Sequence, residues 1–309
     1  MKVLIYGSAG WIGQMMKSYL LEKGHECIIA NARANDYQAV KEEIERVQPD
    51  RVFSSIGRTH GTHEGKQYPT IDYLELPGKL KVNVSDNLVG PIVLSSICRD
   101  NNIHLTYIGT GCIFIYDETH PTPTDLDNLS ISKPDVKGFT EEDNPNFFGS
   151  SYSIVKGQTD VLIKNYDNVL NCRIRMPITA DYNPRNFITK ILNYAKICSI
   201  PNSMTVLPEL LPIMIDMMER GETGTYNMTN PSVITHNQIL DMYKEIIDHS
   251  YIYYNFTVDE QNKILLSKRS NNYLETNKLE KYCFTHGIPL KNIHQSVHDI
   301  IVNMKSVKK

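Results

Sequence analysis

The stretch Gly7-Ser8-Ala9-Gly10-Trp11-Ile12-Gly13 constrains the fold more than any other. It follows a short apolar run, Val3-Leu4-Ile5-Tyr6. It precedes Ile12, Met15, Met16, Tyr19 and Leu20, apolar at helical spacing, with Gly24 where that helix would end. Glycines in the pattern GxxGxxG let the backbone turn sharply and approach a pyrophosphate, whose charge the helix N-terminus stabilises. The spacing alone is weak, since glycine-rich turns also show it. With a strand before it and a helix after it, the stretch reads as a dinucleotide cradle of Gly7, Ser8, Gly10, Trp11, Ile12 and Gly13. Cys27 to Ala30 reads as the second strand, whose end usually carries Asp or Glu in an NAD site. Here the chain continues Asn31-Ala32-Arg33, and an arginine fork suits a 2′-phosphate. The expected cofactor is therefore NADPH, with NADH as the alternative. Ser54 and Ser55, in the third strand, complete the cofactor-binding candidates.

The alternation continues with an amphipathic stretch over 39–47, a strand over 52–56, a helix over 88–98 and a strand over 105–108. A helix over 153–164 and a strand over 169–174 follow. Strands alternating with helices imply an α/β class, a Rossmann-type doubly wound parallel sheet. Later segments are mixed: helices near 188–194 and 209–220, a strand over 225–228 and a helix capped by Thr235. The expected division of the 309 residues is an NADP(H)-binding domain over 1–172 and a smaller C-terminal substrate-binding domain over 173–309, with a return crossing allowed. Residues 58–80 and 116–149, dense in Gly and Pro, read as long loops of the kind that carry function.

Composition excludes several classes. Lys and Arg number 32 against 35 Asp and Glu, a net charge of −3, so no nucleic-acid partner is expected. No apolar run is long enough for a membrane span and the N-terminus lacks a signal pattern, so a cytoplasmic protein is expected. The 6 cysteines are scattered without CxxC, which suggests neither a disulfide framework nor a zinc knuckle. His60, His63 and Glu64 imitate a metal cluster but read as a solvated loop, and no metal is expected. His294 and His298 read as surface residues of a terminal helix. A homodimer is the commonest symmetric assembly.

The chemistry-bearing residues lie downstream. Tyr152 and Lys156 form a YxxxK, which puts phenol and ammonium on one helical face. A cation there would lower the tyrosine pKa toward the working range. Thr110 closes the fourth strand, and carboxyl ends of parallel strands face the ligand crevice. It can therefore share a substrate oxygen with Tyr152. Cys112 taken alone is more often a small buried apolar residue.

These features together resemble the extended short-chain dehydrogenase/reductase superfamily. More narrowly, Thr110 to Phe114, Phe139 to Lys156, Arg175-Met176-Pro177, Asn183 to Lys190, Ile200 to Thr205 and Arg269 to Asn272 resemble the nucleotide-rhamnose synthase/epimerase-reductase family. Residues 58–80 depart from that family's wording. The resemblance implies a bifunctional 3,5-epimerase/4-reductase that converts UDP-4-keto-6-deoxy-D-glucose to UDP-L-rhamnose with NADPH. It implies Cys112 and Lys190 as the epimerase acid/base pair, Tyr152, Lys156 and Thr110 in reduction, and Asn87 as support for a proton relay. It also implies Arg185, Asn186, Asn202 and Arg269 around the UDP-sugar, with Arg269 gripping the diphosphate. Two other readings stand beside it: a 4-reductase in which Cys112 only packs, and a dinucleotide-binding regulatory subunit without catalysis.

Overall fold

The N-terminal apolar run becomes strand β1 (Lys2–Tyr6), followed by α1 (Trp11–Glu22), β2 (Glu26–Ile29), α2 (Tyr37–Val47) and β3 (Arg51–Ser54). The structure is a computed structural model that describes residues 1–126, 128 and 132–307. After β3 come a hairpin, β4 (Gly61–His63) and β5 (Lys66–Tyr68), then a 3-10 turn over Ile71–Glu75. Next are α3 (Leu80–Val84) and α4 (Gly90–Asp100), joined by a π-type turn over Ser85–Val89, then β6 (His104–Thr110), α5 (Ser151–Ile163) and β7 (Val169–Ile174). The remainder holds β8 (Pro177–Ile178), α6 (Phe187–Leu192), β9 (Thr205–Val206), α7 (Leu207–Arg220) and β10 (Gly224–Asn227). Helices α8 (His236–Ile246), α9 (Val258–Ile264), α10 (Asn277–Thr285) and α11 (Ile293–Val307) end the described chain.

The six long strands form one parallel sheet in the order β2-β1-β3-β6-β7-β10. β10 pairs with β7 in the register Tyr226↔Cys172, so the chain crosses back to the first sheet after β8, α6 and β9. Side-chain alternation explains the layers. Val3 and Ile5 of β1 pack under α1 and α7 with Met16, Leu20, Leu210 and Met214. Leu4 and Tyr6 face the opposite layer of α2, α4 and α5, with Val40, Ile44, Leu94 and Ile163. A separate apolar cluster joins α6, α8 and α11 through Ile188, Ile191, Ile239, Leu240, Val297 and Ile301. The predicted start of α8 is a capping box between Thr235 and Gln238.

Two expectations change. Residues 58–80 are not a bare loop: Glu64 (φ 50°) and Gly65 (φ 76°) make the two-residue turn of a hairpin. Its strands are three residues each, too short for periodicity to show. His294 is buried, its Nε2 2.9 Å from the Val233 carbonyl, because α11 turns that face onto the α8 cluster. No described helix is long and apolar enough to cross a membrane.

Candidate active site

Glycine shapes the turn between β1 and α1. Gly7 has φ +83°, a left-handed conformation in which any side chain is strained. A Cβ on Gly13 would lie 2.1 Å from the Gly7 carbonyl oxygen, so only hydrogen fits there. α1 begins after Gly10 with no side-chain cap and no acid in its first turn. Its first N–H groups and positive dipole end are thus open to an anion beside Ser8 and Ile12. Trp11 Nε1 is buried without a partner among the described residues. Ser55 Oγ donates to the Gly7 carbonyl at 3.3 Å, and Ser54 is fully buried in β3. A dinucleotide pyrophosphate fits this cradle.

Arg33 stands 74% exposed beyond β2, with Asp86 as a distant counter-ion at 3.6 Å. A carboxylate does reach the end of β2, but it comes from α2. Buried Glu43 accepts the N–H groups of Asn31 (2.8 Å) and Ala32 (3.2 Å) and the Tyr6 hydroxyl (2.9 Å). It braces the loop carrying Arg33 and has little capacity left for a ribose. No motif marks Glu43, because its contact is made across the layer rather than along the strand.

Helix α5, which carries Tyr152 and Lys156, is set by its cap: Ser150 Oγ accepts the Ser153 N–H at 3.0 Å. Ser153 Oγ in turn donates to the Cys112 carbonyl at 2.8 Å, tying the helix start to the turn after β6. Tyr152 is buried there, hydrogen-bonded with Thr110. Burial, and then the neighbouring Cys112, raise its pKa, and the Thr110 hydrogen bond pulls it back. Thr110 Oγ1 also accepts the Cys112 N–H at 3.1 Å. Half-buried Cys112 packs with Tyr152, Tyr73 and Leu74, so the 58–80 segment roofs the pair. Gly111 between them is forced: a Cβ would come within 2.4 Å of Leu274 and 2.9 Å of Arg175.

Lys156 differs from its expected placement. Its ammonium donates to the Tyr107 hydroxyl on β6. Burial lowers its pKa to about 8, against the opposing pull of Asp160 and Cys112. The expected lowering of the Tyr152 pKa by Lys156 is therefore not what the structure has: burial dominates and the cation's hydrogen-bond partner is Tyr107. The sequence does not point to Tyr107, since only strand pairing brings β6 under α5. Asn87, in the π-type turn, holds Arg58 through both its backbone N–H (2.9 Å) and its carbonyl (2.9 Å). Its own carbonyl accepts the Thr159 hydroxyl at 2.6 Å, which links that turn to α5.

In the second half of the chain, Lys190 on α6 has its pKa lowered by burial and by Arg185 and Arg269. The Arg185 guanidinium meets the His60 ring. His60 is therefore engaged with Arg185, not the solvated loop residue its sequence suggests. Arg269 is bound by Asp72 at 2.8 Å, and Ser267 N–H also donates to Asp72 at 2.9 Å. Burial raises the Asp72 pKa, but hydrogen bonds from Arg269, Ser267 and Thr70 outweigh it and hold the carboxyl down at about 2. Asn186 and Asn202 turn inward instead of lining a pocket. Asn186 caps α6 through Ile188 N–H (3.2 Å) and donates to the Thr179 (2.9 Å) and Asp181 (2.6 Å) carbonyls. Asn202 bonds Asn271 (2.9 Å) and Asn272 (3.0 Å), fully buried. Arg175 joins this network by donating to the Asn272 (3.0 Å) and Ser270 (2.9 Å) carbonyls, and Asn272 reaches the Gly111 carbonyl at 2.9 Å.

No family model matches the chain. It is 49% identical over 308 residues to the uncharacterized protein L780 of Acanthamoeba polyphaga mimivirus, covering 99% of this chain and 97% of that one. The crystal structure described as the L780 UDP-rhamnose synthase matches with a TM-score of 0.89 at 48% identity, over 98% of this chain and 99% of the other. The chain is also 44% identical over 278 residues, 90% of its length and 86% of the relative's, to the bifunctional dTDP-4-dehydrorhamnose 3,5-epimerase/dTDP-4-dehydrorhamnose reductase of Arabidopsis thaliana. A dTDP-4-dehydrorhamnose reductase from Clostridium acetobutylicum shares the fold at 17% identity, with a TM-score of 0.74 over 97% of this chain and 98% of the other.

Proposed function

The chain belongs to the nucleotide-rhamnose synthase/epimerase-reductase family, and from that premise we propose that it converts UDP-4-keto-6-deoxy-D-glucose to UDP-L-rhamnose by 3,5-epimerisation and 4-reduction. The observation that carries the reading is the turn Thr110-Gly111-Cys112, which sets a thiol directly beside the buried Tyr152.

A C4 ketone acidifies the hydrogens on C3 and C5. Cys112 and Lys190 serve as the acid/base pair that removes each one and returns a proton from the opposite face. Lys190 suits that work because burial and two arginines already draw it toward neutrality. Hydrogen bonds from Tyr152 and Thr110 stabilise the enolate oxygen, and Tyr152 then protonates O4 as the ketone is reduced. NADPH, when bound, supplies the hydride for C4. Gly7, Ser8, Gly10 and the first turn of α1 hold its pyrophosphate, and Arg33 reads the 2′-phosphate. Lys156, whose ammonium rests on the Tyr107 hydroxyl, would help hold the cofactor. Arg185 and Arg269 receive the substrate's diphosphate. We further read the sugar-linked nucleotide as UDP, the compartment as the cytoplasm, the assembly as a homodimer, and residues 1–172 as the cofactor domain.

The test is incubation with UDP-4-keto-6-deoxyglucose and NADPH in deuterated water, followed by NMR. Deuterium at C3 and C5 with L-rhamnose as product supports the reading. Reduction without exchange at either carbon would sink it. The contact of Cys112 with Tyr73 and Leu74 favours a second reading, a 4-reductase in which the thiol only packs. Unchanged exchange in Cys112→Ala would favour that packing role for the residue.

A further inference from the structure

Arg185 and Lys190 are close enough that each arginine charge in the cluster bears on the lysine. Among the described residues no carboxylate pairs with Arg185. Its hydrogen-bond partner is the Nε2 of His60, which comes from the segment after β3. A guanidinium has donors only, so Nε2 must be the acceptor and must carry no proton. The ring proton then sits on Nδ1, which lies 3.3 Å from the Thr59 hydroxyl. Burial, with Arg185, Arg58 and Lys190 around it, lowers the His60 pKa to about 4, so the ring is neutral at working pH.

We propose that His60 is a positioning residue for the epimerase step: its unprotonated Nε2 holds the Arg185 guanidinium beside Lys190 without neutralising it. A carboxylate in that place would hold the arginine equally well, but it would cancel its charge. The lysine would then lose the repulsion that draws it toward neutrality, and the cluster would lose attraction for an anionic substrate. A neutral imidazole supplies the geometry and leaves the field intact. The other titratable groups near α6 are consistent with this arrangement. Asp72 is bound to Arg269, Tyr194 lies toward that pair, and His236 of α8 packs its ring on Phe187.

The inference rests on the epimerase–reductase reading, and its test separates the two. Deuterium wash-in at C3 and C5 is followed against pH at substrate well below KM, where the profile reports the free enzyme with Arg185 not yet paired to a diphosphate, for wild type, His60→Leu and His60→Gln. Wild type without wash-in refutes the function itself. With wash-in, His60→Leu lets Arg185 move away. The limb of the profile governed by Lys190 then moves to higher pH, by on the order of half a unit or more. His60→Gln places an amide oxygen near the Nε2 position and restores most of the wild-type profile. A His60→Leu profile that coincides with wild type, or a His60→Gln shift as large as that of His60→Leu, overturns the proposal. If His60→Leu fails to bind NADPH and so is misfolded, Thr59→Val decides. It keeps the ring but removes the partner of Nδ1; a smaller shift in the same direction supports the proposal, and no shift overturns it.

Discussion

At the scale of single residues, the site depends on groups that no isolated chemistry would single out. Cys112 is an ordinary thiol until the turn after β6 places it against Tyr152. Cys112→Ala is expected to abolish deuterium exchange while reduction of a pre-epimerised 4-keto substrate stays within a few-fold of wild type, read by NADPH consumption. An equal fall in both rates would reassign the thiol to packing. Gly13 offers a test of the cradle. A Cβ there would lie 2.1 Å from the Gly7 carbonyl oxygen, so Gly13→Ala must push α1 away from the turn after β1. NADPH affinity measured by fluorescence titration should fall at least about tenfold, the loss expected from misplacing the helix N-terminus by a fraction of an ångström. The GxxGxxG and YxxxK residues were legible because their meaning lies in local spacing. Tyr107 and Glu43 were not, because each acts on a neighbour from another layer.

At the scale of elements, the segment over 58–80 matters most. It contributes His60 to Arg185 and Asp72 to Arg269. Glu75 also accepts the Ser151 N–H at 2.8 Å, at the start of α5. One segment thus touches α5 and both arginines. The Asp72 carboxyl is held down at about 2 in the folded protein. The stability it contributes is therefore complete above its unfolded pKa of about 4 and is lost as pH falls toward 2. Asp72→Asn should lower the melting temperature at pH 7, and the gap to wild type should close below about pH 3. Thermal melts across that range check the sign; a gap that widens on acidification would contradict it. The same variant frees Arg269 and should change KM for the sugar nucleotide more than kcat. Turn chemistry alone could not foretell this segment, since its short strands have no apolar face.

At the scale of the whole molecule, β10 returns to the first sheet and binds the two halves of the chain together. A buried ion pair sits at that junction. Arg173 of β7, 0% exposed, meets Asp160 of α5 at 2.6 Å. Its guanidinium also reaches the Thr140 carbonyl at 3.1 Å and Asn227 of β10 at 3.4 Å. Removing one partner leaves the other charge buried and uncompensated. Asp160→Ala is expected to cost about 3–5 kcal/mol in chemical denaturation, whereas breaking a surface pair such as Arg220–Asp216 should barely move the denaturation midpoint.

What the sequence determined by itself was the alternating order of strands and helices, the glycine cradle, the absence of a carboxylate from the β2 end itself and the shared helix of Tyr152 and Lys156. Each is encoded within a few residues, where periodicity and backbone sterics act directly. Family resemblance added Cys112 and Lys190. Tertiary structure alone decided that Lys156 rests on Tyr107, that Asn186 and Asn202 turn inward, and that the 58–80 segment roofs Cys112 and Tyr152. It joined His60 to Arg185 across 125 positions and Asp72 to Arg269 across 197. Contacts at such separation leave no period in the chain, and they exist only once the sheet has brought its carboxyl edge and the second half of the chain face to face.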